Sequence, residues 1–229
     1  MLLTQCQPKP RAQYKLIFDG HSIVNNFDGK FRGTVTTLFE QHLRARGSNV
    51  GVDTVNFAKG GQTTVDMIAD EATEIFPAYD PALKNVFVVW EGYNHPRKDS
   101  TVTGRQTYEA VKRYCQNLRQ KYPKAFIVVG TPPADKYRGP DKNYNPPLKT
   151  TAARLDSCAL LLRAARAKRE PWLSSLADVR AIQANDPQQP ALSKDGVHPT
   201  QVAINKYIAP CFEAAIEEAL YGTPQPSLN

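Results

Sequence analysis

The sequence predicts a three-layer α/β/α domain built on a parallel sheet of five strands, and two observations carry that prediction. From Tyr14 to Gly222, short apolar runs alternate with segments whose apolar residues recur at helical spacing. Two of the runs, Val86-Phe87-Val88-Val89-Trp90 and Ala125-Phe126-Ile127-Val128-Val129, contain no polar residue. That is the pattern of strands covered on both faces, as in a parallel sheet flanked by helices. A chain of 229 residues suffices for one sizeable core. No internal repeat and no second domain is visible, so residues 14–222 are expected to form one domain. A polar arm (1–13) precedes it and a short tail (223–229) follows.

The elements follow in order. The first strand is Tyr14-Lys15-Leu16-Ile17-Phe18, leading into Asp19-Gly20-His21-Ser22. A glycine there permits a tight turn. A helix is expected over Thr34–Arg46, with Val35, Leu38, Phe39 and Leu43 on one face and Gly47 as its stop. The alternating, β-branched run Val50–Phe57 reads as the second strand. After Gly60-Gly61, Thr63 or Thr64 can cap a short helix reaching about Thr73. Val86–Trp90 is the third strand, Glu91–Thr103 a polar loop, and Arg105–Lys121 a helix with Tyr108, Val111, Cys115 and Leu118 inward. Ala125–Val129 is the fourth strand. The proline-rich stretch Thr131–Pro147 is too long for a simple connection and reads as a functional loop. A long helix is expected over Lys149–Arg169 and a weaker fifth strand near Leu176–Ile182. A last helix starts at Pro199, with a kink at Pro210 and an end at Gly222.

Composition narrows the function classes. The net charge is +7 and the pI about 9.2, yet the basic residues form no single run. The densest group, Arg163, Arg166, Lys168 and Arg169, sits late in a predicted helix, where cations suit the helix dipole. It reads as a solvated basic face, and no nucleic-acid partner is expected. Phosphate-binding glycine motifs are absent. Cys6, Cys115, Cys158 and Cys211 lie far apart, which indicates neither a zinc motif nor a disulfide framework. No apolar run reaches the roughly 18 residues of a membrane span. Met1–Arg11 lacks the pattern of a signal peptide, so the default expectation is a cytoplasmic chain with its compartment and oligomeric state left open.

Four loops at predicted strand ends or helix starts hold chemically capable residues: Gly20-His21-Ser22, Asn56 to Thr64, Gly92-Tyr93-Asn94-His95, and Asp195-Gly196-Val197-His198-Pro199. Open α/β sheets bind ligands at the carboxyl ends of their strands. A serine nucleophile needs a base to take its proton, and a histidine base needs a carboxylate to hold its tautomer. Asp195 and His198, three residues apart in a turn, can meet that need. Gly61 can offer a backbone N–H, and Asn94 a side-chain NH₂, to a developing oxyanion.

These four blocks, in this order, resemble the SGNH hydrolase (GDSL esterase/lipase) superfamily. The resemblance runs from residue 14 to about 212. It implies a flavodoxin-like fold and hydrolysis of a carboxylic or carbohydrate O-acyl ester through a covalent acyl-enzyme. By it, Ser22, Asp195 and His198 are the catalytic residues, while Ser22, Gly61 and Asn94 form the oxyanion hole. The pattern Asn56…Gly61…Thr63 favours Gly61 over Gly60. His21 and His95 stand where the family usually carries aspartate, which bears on loop geometry and substrate preference. They and Tyr93 are possible substrate-binding residues. The resemblance implies no cofactor and no metal, and a small-molecule or glycan ester as partner. No extended apolar lid segment is evident, which favours short acyl chains. Two other readings stay open on the residues alone: a metal-dependent hydrolase using His21, His95 and His198 with Asp19 or Asp195, and a non-catalytic glycan- or partner-binding protein on the same fold.

Overall fold

Five strands, β1 (Ala12–Gly20), β2 (Gly51–Asn56), β3 (Lys84–Trp90), β4 (Phe126–Gly130) and β5 (Ser175–Ala177), form one sheet in a computed structural model. All pairings are parallel and the order is β2-β1-β3-β4-β5. The structure describes residues 12–25, 30–48, 50–133, 148–184 and 198–222. The flavodoxin-like order makes β1 and β3 central neighbours, with Phe18 opposite Val88 and Gly20 opposite Trp90. From β1 the chain steps outward to β2 and then returns to β3 on the other side. Such a reversal opens a crevice beyond the carboxyl ends of the two strands.

Alternation along β1 sends Leu16 and Phe18 to one face and Ile17 to the other. On the first face they pack with Val86, Val88 and Trp90 beneath α2 (Lys30–Ala45) and α9 (Ala209–Tyr221). Phe31, Phe39, Phe212 and Ile216 are fully buried there. On the second face Ile17, Phe87, Val89 and Ile127 meet α3 (Thr64–Asp70), α5 (Gly104–Lys121) and α6 (Leu148–Ala167) through Met67, Val111, Leu118 and Leu162. The predicted three layers are therefore present. Cys115 and Cys158 are buried free thiols inside this second layer.

Several boundaries move, each for a physical reason. β1 begins at Ala12, so the expected arm is at least two residues shorter, and Ala12 pairs with Gly51. The first long helix starts at Lys30 rather than Thr34, because Phe31 is an anchor of the core. Within the expected loop Glu91–Thr103 stands a short helix, α4 (Asn94–Lys98). β5 is only three residues long and ends at Ala177. Asp178 Oδ1 then accepts from Ala181 N–H and Thr131 Oγ1, turning the chain into α7 (Val179–Ala184), where the sequence suggested continued strand. The C-terminal helix is broken where Pro210 predicts a disturbance. Thr200 caps α8 (Gln201–Ala203), a π-helical stretch runs over Ile204–Ile208, and α9 follows with Pro210 in its first turn. Gly222 ends it with φ 68°. Most of the proline-rich loop, the arm before Ala12, the tail after Gly222 and residues 185–197 lie outside the described residues, and so do Cys6 and Asp195. In the basic group, Arg163 pairs with Asp178 and Arg166 with Glu218. No described helix is long and apolar enough to cross a membrane.

Candidate active site

The carboxyl end of β1 is shaped by one glycine. A Cβ at Gly20 would lie 2.1 Å from the Trp90 carbonyl oxygen, and its φ is +148°. Only glycine lets β1 run flush beside β3 to its last residue. The next backbone N–H, from His21, donates to that same carbonyl at 3.2 Å. His21 O then accepts from Val24 and Asn25, and its ring Nδ1 accepts from Ile23 N–H at 3.2 Å. These bonds build α1 (Ser22–Asn25), a single helical turn with Ser22 at its first position.

Ser22 Oγ lies 2.8 Å from His198 Nε2, between residues 176 positions apart in sequence. His198 is exposed and stands just ahead of the Thr200 cap that starts α8. The pair therefore joins the end of β1 to the start of the C-terminal helical segment, at the rim of the sheet.

The second loop is folded by its own polar groups. Phe57 N–H donates to Phe18 O, and Lys59 N–H reaches both Gly20 O and Gln62 Oε1. Asn56 Oδ1 accepts from Ala58 N–H while its Nδ2 donates to Val24 O, tying this loop to the turn of Ser22. Gly61 has φ +73°, a left-handed conformation. A side chain there would also approach Lys98 Nζ at 3.5 Å. Thr63 and Asp66 close a reciprocal capping box at the start of α3.

The third loop is anchored by a carboxyl group that stands within the expected polar stretch Glu91–Thr103. Glu91 is fully buried and accepts the backbone N–H groups of Tyr93 and Asn94. Burial pushes its pKa up to about 8, against the pull of those donors, of the His95 N–H and of Lys98. Asn94, itself buried, donates Nδ2 to Gln62 O at 2.9 Å. An amide NH₂ has a second N–H, so Asn94 keeps one donor beyond that bond. Thus Ser22, Gly61 and Asn94 come from three loops that are hydrogen-bonded to one another.

The other expected residues fall in different surroundings. His21 is 0% exposed, 5.0 Å from the Trp90 ring and 5.9 Å from the Tyr93 ring. Burial first, then His198 and Arg97, lower its pKa to about 3, so it is neutral. Tyr93 is buried under the Arg97 guanidinium, which lies 4.5 Å from its centroid. His95 is half-buried, and burial lowers its pKa. Among the described residues, His21, His95, His198 and Asp19 form no group close enough to share an ion. Asp19 points to the opposite face of the sheet, where Tyr114 O–H donates to it at 2.6 Å and burial raises its pKa to about 6.

The pattern of the GDSL-like lipase/acylhydrolase family matches residues 18–203, most of the chain. The chain belongs to that family. It is accordingly a hydrolase of ester bonds. No curated protein matches the sequence. Solved structures share the fold. A lipase/acylhydrolase from Enterococcus faecalis superposes with a TM-score of 0.61 at 18% identity, over 94% of this chain and 100% of that one. An acetylxylan esterase from Geobacillus stearothermophilus gives 0.61 at 14% identity, over 96% and 100%. An α/β hydrolase from the metagenome of Lake Arreo in Spain gives 0.58 at 21% identity, over 91% and 95%.

Proposed function

We propose that this hydrolase is a serine esterase for small acyl esters, in which Ser22 is the nucleophile, His198 the base and Asp195 the residue that orients it. The observation that carries the proposal is the 2.8 Å approach of Ser22 Oγ to His198 Nε2 at the carboxyl end of β1. Neutral imidazole takes the serine proton as Oγ attacks the acyl carbonyl carbon. The carbonyl oxygen becomes an oxyanion held by Ser22 N–H, Gly61 N–H and the second N–H of Asn94. Collapse expels the alcohol, which takes its proton from His198. Water then repeats the sequence on the acyl-enzyme and frees the acid. Since Nε2 faces Ser22, Nδ1 is the ring atom that Asp195 must hold.

The arrangement around the site supports an anionic intermediate. Lys98 Nζ lies near Gly61, and Arg97 lies close enough to His21 to depress its pKa. The absence of a long apolar lid segment in the sequence favours short acyl groups, and the fold shared with an acetylxylan esterase makes an O-acetylated carbohydrate the first substrate to try. The direct experiment is labelling with a fluorophosphonate, followed by mapping of the adduct. Modification of Ser22, lost in Ser22→Ala together with hydrolysis of acetyl esters, is the expected result. Active protein that resists labelling at Ser22 would sink the serine mechanism.

A further inference from the structure

A second group of ligating side chains lies between α2 and α9, far from Ser22. Tyr14, at the start of β1, shares a hydrogen bond with Tyr221 at the end of α9. His42 and Glu217 sit within about a turn of that end, so most of the nine-residue strand β1, roughly 25 Å, separates them from Ser22. His42 Nε2 is 2.6 Å from Glu217 Oε2, and His42 Nδ1 is 3.5 Å from Glu213 Oε1. Glu213 and Glu217 are one turn apart on α9. One ligand atom from each of the three residues lies within 4.8 Å of the other two.

The group is incomplete as a salt bridge. Glu217 is only 2% exposed, yet its Oε1 has no hydrogen-bond partner among the described residues, and neither has Glu213 Oε1. Arg46 donates to Glu217 Oε2 at 3.3 Å, but it stacks on the Tyr221 ring and faces solvent, leaving Oε1 unsatisfied. A buried carboxylate oxygen without a partner is costly. The two carboxylates also repel each other.

We propose that His42, Glu213 and Glu217 bind one zinc-class divalent cation that clasps α9 to α2. Tetrahedral zinc, with bonds of about 2.0–2.2 Å, sets its ligand atoms roughly 3.3–3.5 Å apart. The His42 Nδ1 to Glu213 Oε1 spacing of 3.5 Å already matches that edge. Glu217 completes the set by rotating to present Oε1, which ends its direct contact with the imidazole. One imidazole and two carboxylates suit zinc, cobalt or nickel better than calcium or magnesium, which want all-oxygen shells. His42, at 28% exposed, and Glu213, at 14%, leave a path for the ion and room for a water as fourth ligand. At its distance from Ser22 the ion serves structure rather than ester hydrolysis.

The experiment is titration of chelator-stripped full-length protein with zinc by calorimetry, with cobalt absorption as a second reading of the ligand geometry. One ion per chain and a melting temperature raised by about 5 °C at a hundredfold excess over Kd are expected. Glu217→Gln and the less buried Glu213→Gln, each checked for folding by circular dichroism, should weaken binding at least tenfold. His198→Gln should bind as the wild type does. Absence of saturable zinc binding, or binding that survives both glutamate substitutions unweakened, overturns the site.

Discussion

Two histidines, at opposite ends of the sheet, make opposite use of the same side chain. His198 is exposed, and its Nε2 faces the neutral Ser22 hydroxyl at 2.8 Å rather than a carboxylate. His42 lies between two carboxylates, one of them buried, with Nε2 2.6 Å from Glu217 Oε2 and Nδ1 3.5 Å from Glu213 Oε1. The first arrangement suits proton transfer, which needs a base free to change state. The second gathers three ligating groups in one place, which suits holding a cation rather than passing a proton. What separates them is the supply of negative charge: α9 delivers two glutamates one turn apart to His42, while the rim delivers a serine to His198.

The largest expected effect tests the rim. Ser22→Ala and His198→Gln should each cut kcat by roughly 10⁴-fold or more, the scale on which nucleophile and base act as a unit, while far-UV dichroism stays unchanged. If His198→Gln keeps most of the activity and His21→Gln loses it, the base has been misassigned. Next comes Asn94→Ala, expected to slow turnover by about 10²–10³-fold, the usual cost of one oxyanion donor. A loss under threefold on the same ester would remove Asn94 from the site. Glu91→Gln should lower kcat about tenfold, since small displacements of an oxyanion donor are costly, with little change in KM; an unchanged kcat would reduce Glu91 to a loop cap.

The same glutamate has a signature in stability. Its pKa rises from the ordinary 4.5 to about 8 in the folded chain. Between those values the unfolded chain releases the proton that the folded chain keeps, so stability falls as pH rises from 4.5 to 8. Asp19 acts alike between 3.8 and about 6. Glu213, raised to about 7, adds to the same fall below that pH. From pH 7 to 8 the slope should therefore flatten in Glu91→Gln, as read from denaturant midpoints; an equally steep slope would show that other groups carry it. The smallest effect belongs to His21→Gln. His21 is neutral throughout the working range, because its pKa is lowered to about 3. The midpoint of the pH–rate curve should not move, and a shift of half a unit or more would show that His21 titrates in the reaction.

The strands were legible because burial on both faces leaves long apolar runs such as Val86–Trp90, and the helices because Val111, Cys115 and Leu118 keep helical spacing. The meeting of Ser22 and His198 was legible only through the order of four short blocks, since nothing local ties residues 176 apart. Glu91 escaped notice because a carboxyl before Gly92 looks like ordinary loop polarity; its role comes from the N–H groups that follow it. α4 escaped because it is a single turn with Pro96 inside it. The strand expected over Leu176–Ile182 runs past β5 because Val179 and Ile182 suit strands, whereas the capping bonds of Asp178 decide for helix. The pair of α9 glutamates carries one signal in the sequence. Glu217 follows Ile216 and stands one turn past Glu213, next to the apolar stripe, where a lone acid on a solvated face need not be.

The π-helical stretch Ile204–Ile208 has a mechanical consequence for both ends of the molecule. Its i→i+5 bonding holds one residue more than an α turn does. One residue corresponds to about 100° of rotation about the helix axis. Deleting a single residue from this stretch would leave His198 and the Thr200 cap in place but turn everything downstream through that angle. Phe212 and Ile216 would swing away from Trp90 and Phe31, and Glu217 would swing toward water. The angular phase of α9, and with it the pairing of its glutamates to His42, hangs on one surplus residue upstream of Pro210.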